Sequence, residues 1–445
     1  MRKSSKKLIA LISVAVLSIS ILVGCGNGST SSKNDEGKSV DTKTTGSDGK
    51  DEASVKEIEL TFPCIWVGSD SKAEVFGKMV EDFNTEYAGT YKVNIEEQTD
   101  YDAYEDKIRT LISAGKAPDI FTVKNFADVQ MFAEAGKLMD LSSFFEDSDI
   151  SGRFITGVID DSKLDGKVYS LPYENAVIPI MFNKKLLDAA GVTSVPASFE
   201  ELWDACDKLK ANGVFPLSQM TGANAWTSML WYSYAVAACG GADVYNNGLE
   251  DPAFVKAAEI LLKMFDYTSS DAIGADATVV NGHFFNERSA IYTNGSWILG
   301  RIKSEGVEGL YDNLILSSGL SSEGQNGGAY LNAVQAYICA GAQTDPAKEE
   351  AIRAFMEYVT RTDKVVELAN SSGSLFAVNL DYTLITDKLQ SEIVKQSSEA
   401  SFTIRNFSAA MPTAVTNAFP STLESLVLGE LTPEEFVNTL KKAAE

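Results

Sequence analysis

Residues 165–191 read DGKVYSLPYENAVIPIMFNKKLLDAAG. Asp165-Gly166 is a turn signal, and Val168 to Leu171 is a short β-type run. Pro172 is expected to stop that run, because proline lacks the ladder donor and pushes the residue before it towards extended geometry. Ala176 to Phe182 is a second apolar run, short and rich in branched residues, as a buried strand would be. Asn183 is placed to cap a helix through Leu186 and Leu187 that ends at Gly191. Between the two runs stand Tyr173, Glu174 and Asn175, with nothing local to satisfy their polar atoms. Two readings are open. One is an exposed turn; the other is a crossover between two lobes, with these three side chains facing a cleft.

Upstream, strand and helix signals alternate. Ile58, Leu60 and Phe62 have period two, and Ser71-Lys72-Ala73-Glu74 reads as a capping box. Behind it Phe76, Val80, Phe83 and Tyr87 form one helical face. Tyr91, Val93 and Ile95 alternate again, Tyr104, Ile108 and Leu111 are spaced for a helix, and Asp119 to Val123 is a third strand. This rhythm predicts a parallel sheet flanked by helices. Ligands meet such sheets beyond the carboxyl ends of the strands, which here means Trp66 to Asp70 and Lys124-Asn125. Downstream, Ser198-Phe-Glu-Glu201 and Thr432-Pro-Glu-Glu435 are further capping boxes. Trp226 to Gly241 is an apolar and aromatic run, and 344–373 reads as two helices.

The chain has 445 residues, with 62 acidic against 38 basic side chains and a net charge of -24. Its length suggests two or three domains. Such a surface repels nucleic acid and anionic lipid and disfavours a phosphorylated ligand. The N-terminus pairs a basic start with an apolar run, Leu8 to Val23, of signal-peptide length. Leu22-Val23-Gly24-Cys25 resembles the bacterial lipobox, in which the cysteine is acylated. Residues 26–55 hold too few apolar side chains to fold and read as a disordered linker. The other cysteines, Cys64, Cys206, Cys239 and Cys339, lie in apolar runs without metal-ligand spacing. The single histidine, His283, leaves little material for zinc or Ser-His-Asp chemistry, and neither G-x-S-x-G nor H-E-x-x-H occurs. No catalytic residue, metal or cofactor is expected.

The pattern D-G-K-x-Y-x-L-P-Y-E, an apolar strand, then F-N-K-x-L-x-x-A-G resembles the first interlobe crossover of family 1 extracellular solute-binding proteins. These are the carbohydrate-binding subunits of bacterial ABC importers, of the maltose-binding-protein type. SAGKAPDIF (113–121) and FAEAGKLMDL (132–141) resemble that family's first lobe. Phe284 to Trp297, FFNERSAIYTNGSW, is similar to its F-x-x-G-x-A-A-M-x-x-x-G-x-W signature, with Arg288 in place of glycine. Gly327-Gly328, Asn332 and Val334 to Ile338 resemble the second crossover, and Phe376 to Asn379 lies near a third.

The resemblance implies an α/β, two-lobed periplasmic-binding-protein-like fold of type II. Each lobe is then a mainly parallel sheet flanked by helices, and crossover segments form the hinge. The implied boundaries are a signal peptide at 1–24, a lipidated Cys25 and linker at 25–55, an N-terminal lobe of 56–172 plus 335–378, and a C-terminal lobe of 173–334 plus 379–445. Sugar rings have apolar C–H faces and a belt of hydroxyls, so aromatic rings and planar amide or carboxylate groups suit them. Core packing is the commoner fate of any one tryptophan. Trp66, Trp226 and Trp297 nevertheless fall at cleft positions of the resembled fold, whereas Trp203 reads as core. The expected ligand site is Trp66, Asp70, Asn125, Tyr173, Glu174, Asn175, Trp226, Trp297, Gly328 and Asn332. The expected function is capture of a sugar or oligosaccharide and its delivery to the transmembrane subunits of an ABC permease, by a monomer lipid-anchored to the outer face of the cell membrane. A secreted glycoside hydrolase with two facing carboxylates and a sugar-sensing lipoprotein of the same fold are the alternatives.

Overall fold

The computed structural model describes residues 56–98, 101–155 and 157–444. The signal segment, Cys25 and the polar stretch to 55 lie outside the described residues. Apolar side chains gather in two centres. The first contains Leu60, Phe62, Phe76, Phe83, Ile120 and Phe355. The second contains Phe182, Leu202, Trp231, Phe254, Phe419 and Phe436, and a smaller cluster around Phe284, Tyr292 and Ile302 adjoins it through Trp226 and Trp297. Two lobes follow from these two centres. Three strands contribute to both: Leu171–Ile178 buries Tyr173 in the first and Ala176 in the second, Ala329–Ala340 buries Leu331 in the second and Ile338 in the first, and Leu375–Phe376 buries Phe376 in the first and Leu375 in the smaller cluster of the second.

The first two of these strands pair antiparallel, and the short strand Leu375–Phe376 pairs antiparallel with Leu171–Ile178 on its other side. Glu174 thus lies opposite both Ala336 and Phe376, and Asn175 opposite Val334 and Leu375. The exposed-turn reading of 173–175 is excluded, because all three side chains are buried inside one continuous strand. Pro172 does not stop the strand. Leu375–Phe376 pairs only with Asn175 and Glu174, so it asks Pro172 for no donor, and on the other side the register slips between Ala336 and Tyr337, next to Pro172.

The sheets are mixed, where a mainly parallel arrangement was expected. Ile58–Cys64 runs parallel to Tyr91–Glu97, Phe215–Leu217 to Ser289–Thr293, and Phe402–Ile404 to Ala329–Ala340. Ile120–Val123 is antiparallel to the far half of Ala329–Ala340, and Ile180–Asn183 is antiparallel to both Leu314–Ser317 and Ser289–Thr293.

Helix starts follow local chemistry. Asn183, Ser198 and Thr432 accept from backbone N–H groups as expected, Thr432 in a reciprocal box with Glu435. The box at Ser71 does not form. The Asp70 carboxylate takes the Lys72 N–H at 2.8 Å instead, and the helix Ala73–Glu86 begins after Lys72 without a side-chain cap. Helix Trp226–Gly240 is buried along nearly its whole length, which explains why its sequence is apolar on every face. Leu380 and Ile385 pack in the first centre and Leu389 in the smaller cluster of the second lobe. Cys64, Cys206 and Cys339 are buried, Cys239 is half-buried, and all four are free thiols.

Candidate functional site

The crossing strands bring together side chains from distant parts of the sequence. Lys72, only 4% exposed, sits between two carboxylates, with its ammonium 3.1 Å from Asp70 and 3.1 Å from Glu174. Its Nζ also lies 3.5 Å from Ser374 Oγ, at the edge of the Leu375–Phe376 crossing. Burial opposes the ammonium, but the charges of Glu174 and then Asp70 outweigh burial and hold its pKa above the ordinary lysine range. Lys72 therefore stays charged at any physiological pH. Two of the expected residues, Asp70 and Glu174, are thus joined through a lysine that the sequence pattern had assigned to a cap.

From Ser374 the contacts continue into the second lobe. A side chain at Gly373 would press on the Ser296 carbonyl, and Ser296 N–H donates to Val177 O at 3.1 Å, two residues beyond Asn175. The next residue is Trp297. Its ring lies 6.1 Å from that of Trp226, inclined by 39°, and both indoles are partly exposed. This aromatic pair is the feature best suited to an apolar ligand face. Trp226 opens its helix after a tight loop. Ala223 and Ala225 both adopt left-handed backbone (φ 49° and 48°), Asn224 Oδ1 accepts the Trp226 N–H at 3.2 Å, and a Cβ on Gly222 would come within 2.5 Å of Gly274 O. Two alanines in that region cost on the order of 1–3 kcal/mol each, strain that clusters at ligand sites.

Asn125 caps the helix Phe126–Glu134, beyond the carboxyl end of strand Ile120–Val123, and receives a 3.5 Å contact from Thr413 Oγ1 in the other lobe. It therefore lies where the two lobes face each other.

Four further expected residues have other contacts. Trp66 is 1% exposed, with Phe76 at 4.8 Å and Tyr173 at 5.3 Å covering its ring. Tyr173 is fully buried and donates to Val359 O at 3.1 Å; burial first, then the Glu174 charge, push its pKa up. Both rings belong to the first core, and Trp66 also contributes to the lining of a groove at the surface of that lobe. Gly328 has φ +80° and lies against Ser401, so its role is to turn the backbone into strand Ala329–Ala340. Asn332 donates to Ser397 Oγ at 3.4 Å, on the helix Lys388–Ser398. A groove of about 570 Å³ between helix Ala73–Glu86 and strand Tyr91–Glu97 contains neither Trp226 nor Trp297. It is an open furrow along the sheet edge, and Trp66, Val67 and Gly68 are among its lining residues. Among the described residues no group of three or more His, Cys, Asp or Glu side chains could hold a metal ion.

Sequence reasoning missed two residues. Lys72 is the cation of the buried triad, and its burial has no sequence signal. Asn294 accepts from Trp226 Nε1 at 3.2 Å. Its signal lies in Asn294-Gly295-Ser296-Trp297, the end of the signature-like segment, from which only Trp297 is expected at the site.

The sequence model of the family described as "Bacterial extracellular solute-binding protein" matches residues 78–396. The maltotriose-binding protein of Pyrococcus abyssi is 26% identical over 207 residues, 46% of this chain and 43% of that protein. The diacetylchitobiose binding protein DasA of Streptomyces coelicolor is 25% identical over 293 residues, 63% of this chain and 61% of that protein. The chain spans about half the length of these relatives. Among solved structures, a chitin oligosaccharide binding protein superimposes with a TM-score of 0.78 at 22% identity, over 87% of this chain and 98% of that one. That likeness shows the same two-lobed fold.

Proposed function

The chain belongs to the bacterial extracellular solute-binding proteins, and from that premise we propose that it captures an oligosaccharide between its lobes and delivers it to an ABC permease. The observation that carries this reading is the partly exposed Trp226–Trp297 pair beside the three crossing strands. Two inclined indole faces suit the apolar faces of sugar rings. Asp70, Asn125, Glu174 and Asn175, on and around the crossing strands, would supply polar groups for hydroxyls. The sugars named for its relatives, maltotriose and diacetylchitobiose, support an oligosaccharide as the ligand class. The protein binds without chemistry, acts outside the cytoplasm as a monomer, and is held to the membrane by acylated Cys25.

The test is a thermal-shift and calorimetric panel of maltotriose, diacetylchitobiose, raffinose and xylo-oligosaccharides. A sugar present at 100 times its Kd adds about 2.7 kcal/mol of stability. At least one should raise the melting temperature and be recovered intact. Absence of any shift across the panel overturns the carbohydrate reading, and sustained product formation overturns the binding-only reading. For the anchor, Cys25→Ser should release processed protein from the membrane fraction. Retention of processed protein in that fraction overturns it.

A further inference from the structure

Trp226 Nε1–H is a donor only, so the acceptor facing it must be Asn294 Oδ1, at 3.2 Å. That choice turns Asn294 Nδ2 the other way, towards Tyr292 Oη at 2.6 Å. Tyr292 Oη, receiving that hydrogen, directs its own to Asn281 Oδ1 at 2.6 Å. Asn281, Tyr292 and Asn294 are 4%, 0% and 6% exposed. Burial raises the pKa of Tyr292, so the phenol remains a donor. The three side chains come from helix Ala277–Phe285, strand Ser289–Thr293 and the turn after it. Their hydrogen bonds have one consistent polarity, and the indole N–H dictates it. The adjacent Gly295 serves the other ring. A Cβ there would overlap the six-membered ring of Trp297, so the indole folds down over a residue that must lack a side chain. The Asn294 oxygen also accepts the Gly295 N–H at 2.8 Å, which ties the two functions together.

We propose that Asn281–Tyr292–Asn294 is a buried positioning relay for Trp226, and that Asn294-Gly295 as one unit sets the angle between the Trp226 and Trp297 faces. None of these four residues needs to touch a ligand. The part concerning affinity rests on the carbohydrate reading above; the part concerning Trp226 does not.

The test uses protein with 15N-labelled tryptophan. The chain has five tryptophans, and Trp226→Phe identifies the indole signal of Trp226. Tyr292→Phe removes only the hydroxyl and keeps the ring stacked on Phe284, at 4.8 Å. It removes the bonds to both Asn294 and Asn281, so it should displace the Trp226 Nε1–H signal and speed its exchange with water by roughly tenfold or more. The Trp203 and Trp231 signals should stay in place. With whichever sugar of the panel the parent protein binds, Tyr292→Phe and Asn294→Ala should each raise Kd roughly tenfold. Both effects should vanish in a Trp226→Phe background, because the relay acts through that ring. An unmoved Trp226 signal in folded Tyr292→Phe protein overturns the relay, and so do losses that simply add in the double variants. If the parent binds no sugar, the previous reading fails and the indole signal alone decides the relay. If Asn294→Ala does not fold, Tyr292→Phe carries both measurements.

Discussion

Lys72 shows how much one buried side chain can hold. Its ammonium is the shared partner of Asp70 and Glu174, one from the loop after the first strand and one from a crossing strand. Removing one partner of a buried ion group is far costlier than never having had the group, because the charges left behind are out of water. Lys72→Met keeps the stem and deletes the charge, so unfolding in urea should show a loss of about 3–5 kcal/mol; a loss under 1 kcal/mol would mean the carboxylates find other partners. Trp297 tests the site itself. A stacking platform contributes about 1–3 kcal/mol, so Trp297→Ala should weaken sugar binding roughly tenfold to a hundredfold. The ring also packs against Trp226 and both apolar clusters of its lobe, so stability should fall too, by less than the 3–5 kcal/mol of a fully buried tryptophan. Unchanged affinity in the folded variant would place the ring in a packing role alone.

At the scale of elements, helix starts combine short-range polar signals with pH. The Glu435 carboxylate accepts from Thr432 N–H at 2.8 Å and from its hydroxyl at 2.9 Å, opening the helix Pro433–Ala443. The backbone bond first, then the hydroxyl, hold its pKa below the usual glutamate value. A lowered carboxylate stabilises the fold above its unfolded pKa, about 4.3, and that contribution is lost as pH falls through the lower folded value. The melting-temperature gap between the parent and Glu435→Gln should therefore be constant from about pH 5 to 8 and shrink progressively as pH falls below about 4.3. A gap that does not shrink at all on acidification contradicts a carboxylate cap. The failed box at Ser71 gives the contrast. The same four-residue pattern was outcompeted by Asp70, which lies one residue earlier and was already held in place by Lys72.

At the scale of the whole molecule, two cores joined by three crossing segments make a hinge. The Thr413–Asn125 contact is one bond between lobes away from the crossings. Ligand held between rigid lobes should draw them together. Small-angle scattering should then show a smaller radius of gyration with the bound sugar than without it. An unchanged radius at saturation would mean that the lobes are already closed or do not move.

The local sequence determined the strands, the helices and most of their caps. These rest on interactions within a few residues, as at Asn183, Ser198 and Thr432. Motif spacing also determined the family and the two-lobed plan, because the signature positions recur in order along the chain. What tertiary structure alone decided was the direction in which each polar or aromatic side chain points. Trp66 and Trp297 look alike in sequence, each following a strand, yet Phe76 and Tyr173 cover the first and Gly295 leaves room for the second. Lys72 and Glu174 lie about a hundred residues apart, and only the meeting of the first lobe with the crossing strand pairs them. Burial and partnership are properties of distant segments brought together, and period, propensity and spacing carry no record of them.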